Sequence, residues 1–530
     1  MKWKTYFRPF PKAGGLAFLS AILFVLSYPP FKTGFLSFVS LVPFFSGLKG
    51  QRSQAAFKIA YAAGLLCHLG LFYWLSMIHW SAMILLVLFL SLFWGITGMG
   101  VAWLYPRYPL LFYLGFPCYW ILYEYCFSLT DLAFPWISLG YSLVYFPPLI
   151  QIAEWGGVYL VSLFIVLVNL GFFFIIEEWK NKKKVFLVAG LISLGLLVSI
   201  VYGFWVIPRA RGSESLRVGL IQGNIDQDQK WENSFIDSVI TIHENLSEKS
   251  LEKLPELLVW PETAAPCYLL RHPHYLVRMQ AFNRRGNVPL LLGAVDFDYV
   301  EDSHPRYQYY NSSLYFKPAS PEIEKYNKMM LVPFGERIPF VESIPFIKEI
   351  LRNSEAYSPD EFKALQILKR LVSASANFKA GSEFKQFSVD GKIFPALICY
   401  EIIFPNFVRQ FVKRGSDFLV NITNDGWYGK TSALYQHAAM AIMRAVENRI
   451  GVARAANTGI SLLVNPAGEV IRQTEIGQTD FIVEDLPLRK KLTFYTKHGD
   501  WLVRFAGLGL LGVGIFLIVL NIRQSRGEIS

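Results

Sequence analysis

Residues 394–405 read FPALICYEIIFP, an apolar strand-like run that leads directly into a cysteine, a tyrosine and a glutamate. The chain has only five cysteines, and one of them, Cys399, stands beside a carboxylate at the end of this run. Core packing is one interpretation, because free cysteine is among the most buried residue types. A catalytic nucleophile at a strand end is the other, and the surrounding sequence bears on the choice.

Four more short apolar runs in the same part of the chain end in polar or turn residues. They read LRVGLIQGNI, LPELLVWPE, VPLLLGAVDF and SDFLVNITND. Helical patterns such as Trp231–Ser250 and Ala433–Arg449 lie between some of them. Short buried strands that alternate with helices are typical of a layered α/β domain, which we expect over residues 208–500.

The remainder of the chain is much more apolar. The 530 residues are 53% hydrophobic and only 17% charged, against about 25% charged in ordinary soluble domains. We predict a membrane domain over 1–207 with about seven transmembrane helices, a C-terminal transmembrane helix over 501–522 and a tail over 523–530. The apolar runs lie near Gly14–Tyr28, Gly34–Leu48, Ala55–Met77, Ser81–Leu104, Pro109–Phe127, Trp155–Ile176, Val185–Ile207 and Trp501–Ile522. The first two are short and are compatible with tilted, re-entrant or interfacial segments.

Basic residues follow a pattern along these runs. They cluster before the first run, and then in alternate loops such as Lys180–Lys184, while the loops between carry few. This is the positive-inside pattern, so both termini are expected in the cytoplasm and residues 208–500 outside. The same distribution argues that the net charge of +11 reflects membrane topology, and no nucleic-acid partner is expected.

Three chemically useful residues stand at the ends of apolar runs: Glu262, Lys328 and Cys399. Each has an ordinary structural explanation on its own, as a strand-end charge, a surface lysine or a core thiol. Polar residues at strand ends of layered α/β domains tend to meet at one edge of the sheet. Together the three suffice for acyl transfer: a base for the thiol, a cation for the oxyanion, and a sulfur that forms a thioester. The backbone N–H after Cys399 is expected to help hold the oxyanion.

At this point the sequence resembles a known family. Residues 216–487 look like the nitrilase, or carbon–nitrogen hydrolase, superfamily, and the flanking apolar runs make the chain most similar to the apolipoprotein N-acyltransferase family. The pieces that carry the resemblance are QGNIDQDQKW, WPET, YYNSSLYF, YNKMMLVPFGE, LICYE, NDGWYG, QHAAMAIMRAVE, RAANTGIS and TFYTKHGDW. One departure follows Glu447, where many relatives read Gly-Arg-Pro two positions on and this chain reads Asn-Arg-Ile-Gly. A contact from Arg449 therefore remains open.

The resemblance implies a multi-pass protein of the bacterial inner membrane with an αββα nitrilase-like catalytic domain on the periplasmic side, and a two-step reaction. An acyl chain would pass from the sn-1 position of phosphatidylethanolamine to Cys399 and then to the N-terminal amine of a diacylglyceryl-cysteine apolipoprotein. It implies a catalytic triad of Glu262, Lys328 and Cys399, without cofactor or metal, in a monomer. Supporting or substrate-binding roles are expected of a further set of residues, although the two tryptophans could equally be core: Glu336, Glu401, Tyr400, Trp231, Asn311 and Trp427.

Two other functions use the same sequence features. A membrane-tethered nitrilase-type amidase for a small soluble amide needs the same triad, so only the substrate separates it from an acyltransferase. A transporter or receptor would need charged residues inside the apolar runs; few are present, of which Glu124 is the clearest, and this disfavours transport. His437 and His498 are interpreted as structural, and the role of Cys267 is left open. The apolar insertion Ile338–Leu371 is a candidate cover for a site that must exclude water.

Overall fold

The computed structural model describes residues 10–212, 214–230, 233–301, 307–340, 378–488 and 491–526. Trp231 and all but the first three residues of the Ile338–Leu371 insertion lie outside the described residues. The predicted substrate contact and the predicted cover therefore stay predictions.

The N-terminal part is helical. Its helices are α1 Phe10–Ser27, α2 Val42–Leu48, α3 Ser53–Phe72, α4 Ser76–Arg107, α5 Pro109–Cys126, α6 Pro147–Ile150, α7 Ala153–Glu177 and α8 Lys182–Ala210. In the described residues, four helical stretches are long and apolar enough to cross a membrane: Ser53–Arg107, Ala153–Glu177, Lys182–Ala210 and Trp501–Ser525. The first of these has 55 residues and contains both α3 and α4.

The predicted run Gly34–Leu48 is interrupted. It consists of a 3-10 helix, Gly34–Phe38, and then the seven residues of α2. At about 1.5 Å per residue, seven residues rise only about 10 Å, far short of the roughly 30 Å of a hydrocarbon core. This run therefore packs within the helical part without crossing a bilayer by itself.

The layered α/β part begins with a sheet and the helices that cover it. Its elements are β1 Glu214–Gln222, α9 Gln227–Lys230, α10 Ile236–Leu251, β2 Leu257–Val259, β3 Ala265–Tyr268, α11 Pro273–Gly286, β4 Leu290–Tyr299, β5 Tyr307–Phe316 and β6 Ile323–Asn327. In the described part of the chain this sheet has seven strands in the order β14-β1-β2-β4-β5-β6, where β14 is Asp480–Leu488 and β3 pairs with β4. The β1–β2 and β2–β4 pairs are parallel, which places their carboxyl ends at one edge.

A second sheet packs against the first. After the small hairpin of β7 Phe387–Val389 and β8 Lys392–Phe394, its elements are β9 Ala396–Ile398, α12 Pro405–Lys413, β10 Phe418–Thr423, α13 Ser432–Asn448, β11 Gly451–Ala456, β12 Leu462–Val464 and β13 Val470–Gln473. The order is β13-β12-β11-β10-β9, five strands among the described residues. Every residue of β9, β10, β11 and β12 is buried, as expected for a sheet covered on both faces. The short helix α14 Phe494–His498 and the long apolar helix α15 Trp501–Ser525 follow.

The helical part and the second sheet share one continuous apolar core. Trp136 and Tyr159 of the helical part belong to the same buried cluster as Ile398 and Val420 of the sheet. The layered domain is thus packed on the membrane-type helices along the side where Cys399 lies. The predicted combination of an apolar helical part with a layered α/β domain is confirmed.

Candidate active site

The three residues predicted from strand ends meet in the folded chain. Glu262 lies just after β2, Lys328 directly follows β6, and Cys399 directly follows β9. The Nζ of Lys328 is 3.6 Å from Oε1 of Glu262, and the charges of both act on the Cys399 thiol. All three are almost fully buried, with exposed fractions of 6%, 1% and 7% in chain order.

The backbone of Cys399 is strained. Its φ is +49°, in the left-handed region that non-glycine residues rarely adopt, at a cost of about 1–3 kcal/mol. The residue starts a 3-10 helix, Cys399–Ile403, immediately after β9. Oε2 of Glu401 accepts the N–H of Ile398 at 2.7 Å, which closes the turn. Strand β9 therefore ends in a sharp turn at Cys399, so the sulfur lies outside the sheet.

Lys328 lies between two carboxylates. Its Nζ donates to Oε1 of Glu336 at 2.9 Å and lies 3.6 Å from Glu262. Burial alone lowers the pKa of the Lys328 ammonium, but the charges of Glu336 and Glu262 outweigh burial and raise it above its ordinary value. The lysine is thus held charged and in place, as needed for a group that stabilises an oxyanion.

Glu262 is fixed by donors on both oxygens. Oε1 accepts the side-chain amide of Asn311 at 2.7 Å, and Oε2 accepts the backbone N–H of Asn424 at 2.8 Å. Asn311 also donates to Oε1 of Glu336 at 2.8 Å. The residue predicted to contact substrate therefore lies between the two carboxylates, where it keeps them apart and oriented.

The Cys399 thiol is held in its protonated form at rest. Burial raises the pKa of this thiol, the nearby charge of Glu262 raises it further, and Lys328 only partly offsets the two. A thiol in this environment needs a base at the moment of attack, because the thiolate is the reactive species. Glu262 has the chemistry and the location for that step.

Glu401 and Tyr400 connect the nucleophile to its surroundings. Oε1 of Glu401 accepts the hydroxyl of Tyr326 and the N–H of Met329, both at 2.7 Å, so it ties the Lys328 loop to the turn of Cys399. Burial raises the pKa of Glu401 to about 7, against the hydrogen bonds that favour its charged form. The hydroxyl of Tyr400 donates to the carbonyl of Ala133 in the helical part.

A buried polar cluster beneath Cys399 was not among the predicted site residues. It consists of Asn421, Asp425, His437 and Arg454, each fully buried. Asp425 and Arg454 stand in the quoted motifs NDGWYG and RAANTGIS, so their signal was present in the sequence. His437 was interpreted as structural, and its ring nitrogens lie against Asp425 and the carbonyl of Cys399.

A second buried lysine also escaped the sequence analysis. The Nζ of Lys230 donates to the carbonyl of Glu262 at 3.1 Å, and burial lowers its pKa to about 7. It stands beside Trp231 in the quoted QGNIDQDQKW. The charges around Lys230 in the sequence do not distinguish it from a surface lysine, because its unusual property is its burial in the folded chain.

The remaining predicted residues lie elsewhere. Trp427 is 52% exposed on the loop that follows β10, and His498 is exposed with its ring against Phe494. Arg449 bonds to Glu154 at 2.9 Å. Cys267 belongs to a different apolar cluster from Cys399. In the described ranges no group of three or more His, Cys, Asp or Glu residues is placed to hold a metal ion.

Comparisons with known proteins match both parts of the chain. Residues 20–171 match the apolipoprotein N-acyltransferase N-terminal domain, and residues 217–490 match the carbon-nitrogen hydrolase family. The chain is 33% identical over 500 residues to an apolipoprotein N-acyltransferase of Geobacter metallireducens, covering 92% of this chain and 91% of that protein. It is 30% identical over 527 residues to the protein of the same name in Chlorobaculum tepidum, covering 94% and 95%.

Among solved structures, a mutant of the Nesterenkonia AN1 amidase from the nitrilase superfamily is 19% identical, with a TM-score of 0.36. That match covers 52% of this chain and 92% of the amidase.

Proposed function

Because the chain belongs to the apolipoprotein N-acyltransferase family, we propose that it moves an acyl chain from a membrane phospholipid to the N-terminal amine of a diacylglyceryl-cysteine apolipoprotein. The observation that supports this proposal is that Glu262, Lys328 and Cys399 lie together, buried, in a domain that packs against apolar helices. Both substrates carry acyl chains, so a site joined to a membrane part meets them where they reside. The catalytic domain is proposed to face the periplasm.

The first half-reaction transfers the acyl group to sulfur. Glu262 removes the proton of the Cys399 thiol while sulfur attacks the ester carbonyl carbon of the phospholipid. The resulting oxyanion is stabilised by the ammonium of Lys328 and by the N–H of Tyr400. The C–O bond then breaks, and the proton on Glu262 passes to the departing lysophospholipid oxygen, which leaves a thioester on Cys399.

The second half-reaction uses the same groups in the same order. The neutral α-amine attacks the thioester carbon, and Glu262 accepts a proton from the nitrogen as the C–N bond forms. The C–S bond then breaks, and the sulfur recovers its proton from Glu262. Donor and acceptor thus occupy one site in turn, which is ping-pong catalysis. Every group used comes from one chain, so the scheme needs neither a cofactor nor a second copy.

The test is the mass of the Cys399 peptide after incubation of the purified protein with phospholipid. We expect a mass increase equal to one acyl group in the native chain and none in Cys399→Ala. In cells, Cys399→Ala should leave lipoproteins with two acyl chains and a free N-terminal amine. An unmodified peptide in the native chain, or normal N-acylation of lipoproteins in the variant, would contradict the proposal.

A further inference from the structure

The carbonyl oxygen of Cys399 is held by two buried side chains. Nε2 of His437 lies 3.2 Å from this oxygen, and the side-chain amide of Asn421 donates to it at 3.4 Å. Both side chains are fully buried. A carbonyl oxygen only accepts hydrogen bonds, so Nε2 of His437 must carry a hydrogen whatever the charge of the ring.

The other side of the His437 ring is anchored by charges. Nδ1 lies 3.1 Å from Oδ1 of Asp425 and 3.1 Å from a guanidinium nitrogen of Arg454. Asp425 in turn accepts from Thr423 at 2.9 Å and from Arg454 at 2.7 Å. Burial, followed by the charge of Arg454, lowers the pKa of His437. Nδ1 therefore has a partner in either protonation state of this nitrogen: as a donor it faces Asp425, and as an acceptor it faces Arg454.

Asn421 belongs to the same network. Its Oδ1 accepts from Arg454, while its amide nitrogen donates to the carbonyls of Leu397 and Cys399. The two donors on the Cys399 oxygen therefore share one buried arginine. If these side chains only filled the space beneath Cys399, apolar side chains would serve as well, because each buried polar group without a partner costs about 1–3 kcal/mol.

We propose that His437, together with Asn421, is a positioning residue that aims the N–H of Tyr400 at the oxyanion, an inference that rests on the proposed acyl transfer. The peptide bond between Cys399 and Tyr400 is planar, and in the trans form its C=O and N–H point in opposite directions. Fixing the carbonyl oxygen on one side therefore fixes the N–H on the other. A flipped plane would present an oxygen to the developing negative charge.

The strained backbone explains why the peptide plane needs an anchor. With a φ of +49°, Cys399 lacks right-handed helical backbone geometry although it begins the 3-10 helix Cys399–Ile403. Its carbonyl also meets side chains on β10 and α13, namely Asn421 and His437. These donors hold the peptide plane at the strained start of the 3-10 helix.

The experiment compares His437→Gln with His437→Asn. The side-chain nitrogen of glutamine reaches about as far as Nε2 of histidine, so the hydrogen bond to Cys399 can persist. Asparagine is one methylene shorter, and its amide corresponds to Nδ1. Two rates are measured on each purified full-length variant at matched pH: acylation of Cys399 from mixed micelles of phosphatidylethanolamine and detergent, and alkylation of Cys399 by iodoacetamide. Alkylation occurs at a saturated carbon and forms no oxyanion, so it reports the thiol and its base alone.

We expect His437→Asn to acylate at least about tenfold more slowly, because losing one oxyanion donor outright costs about 10²–10³. His437→Gln should acylate within about threefold of the native chain, and alkylation should change less than about twofold in both. If His437→Asn gives no folded protein, His437→Leu removes both ring nitrogens at similar volume and should show the same split between the two rates.

Native acylation rates in His437→Asn, or a matching loss of alkylation, would overturn the inference, the latter because it would indicate collapse of the whole site. The proposed acyl transfer would fail differently: the native chain itself would form no acyl adduct on Cys399. The two failures are therefore distinguishable in the same set of samples.

Discussion

At the scale of single residues, the site depends on keeping charges where burial opposes them. Lys328 is 1% exposed, and its ammonium persists because Glu336 and Glu262 flank it. Glu336 carries the shorter contact and also accepts the N–H of Val332 at 2.9 Å. It therefore orients Lys328, while Glu262 acts as the base in the proposed mechanism.

Glu336→Gln is expected to slow acylation of Cys399 by at least about tenfold. With one carboxylate fewer, the pKa of Lys328 falls, so the alkaline limb of the pH–rate profile should move to lower pH. Acylation followed by mass spectrometry across pH measures this. Glu324→Gln is the matched control, because Glu324 pairs with Lys317 and Lys385 away from the site. A variant profile identical to the native one would contradict the role given to Glu336.

Asp425 gives a prediction for stability against pH. Burial alone raises the pKa of its carboxyl, but Arg454 and His437 hold it below the ordinary value. A lowered folded-state pKa means that the stabilisation is present above the unfolded pKa of about 3.9 and is lost as pH falls below it. Asp425→Asn leaves Arg454 buried without its charge partner, at a cost of about 3 kcal/mol at pH 7.

Thermal unfolding of the detergent-solubilised protein checks this prediction. The native Tm should fall as pH drops below about 4, and Asp425→Asn should start lower at pH 7 and change less over that acidic range. Asp485→Asn is the control, since its pair with Arg217 is exposed and contributes little. Equal acid sensitivity in the native chain and Asp425→Asn would show that another carboxylate controls acid unfolding.

At the scale of elements, the sequence predicted which residues meet but not how they are held. Glu262, Lys328 and Cys399 follow apolar strands, and strand ends gather at a sheet edge, so their proximity was predictable. Asn311 was expected to contact substrate, which stays a prediction; the hydrogen bonds of its amide to Glu262 and Glu336 were not predicted. That arrangement depends on how far side chains reach between the segment after β2, strand β5 and the segment after β6, which no periodicity in the sequence predicts.

Gly293 on β4 lies close to the backbone of Glu262, and its lack of a side chain leaves room for that backbone. A Cβ at this position would lie 2.5 Å from the N of Thr263 and 2.6 Å from the Cα of Glu262, so the backbone would have to move. Gly293→Ala should slow acylation about 100-fold, the scale expected for a catalytic group displaced by about 1 Å. Gly286→Ala at the end of α11 is the control, because its Cβ would meet only a Leu251 methyl at 3.4 Å.

Both glycine variants are compared by acylation rate and by Tm. Gly293→Ala should lose rate out of proportion to any loss of stability, whereas Gly286→Ala should keep both. A native acylation rate in Gly293→Ala would mean that the backbone of Glu262 has more room than the packing of β4 indicates.

At the scale of the whole molecule, hydrogen bonds join the catalytic domain to the helical part. Oε1 of Glu447 accepts the N–H of Val158 at 2.8 Å at the glycine kink of α7. The indole of Trp136 donates to Gln436 at 2.8 Å, across 300 residues of sequence. Such contacts were not predictable, because composition and hydropathy identify each part separately and carry no information on how the parts dock.

The orientation of the molecule in the membrane is the last prediction. The basic segment Lys180–Lys184, which leads into the first turn of α8, is expected in the cytoplasm, and the catalytic domain on the opposite side. Lys183→Cys and Glu252→Cys place single thiols at exposed positions on the two sides. A membrane-impermeant maleimide should label Glu252→Cys in intact spheroplasts and Lys183→Cys only after permeabilisation.

The native chain, in which Cys67, Cys267 and Cys399 are buried and Cys118 and Cys126 partly buried, gives the background. Labelling of Lys183→Cys alone in intact spheroplasts would place the active site on the cytoplasmic face, where the periplasmic acyl transfer proposed here could not take place.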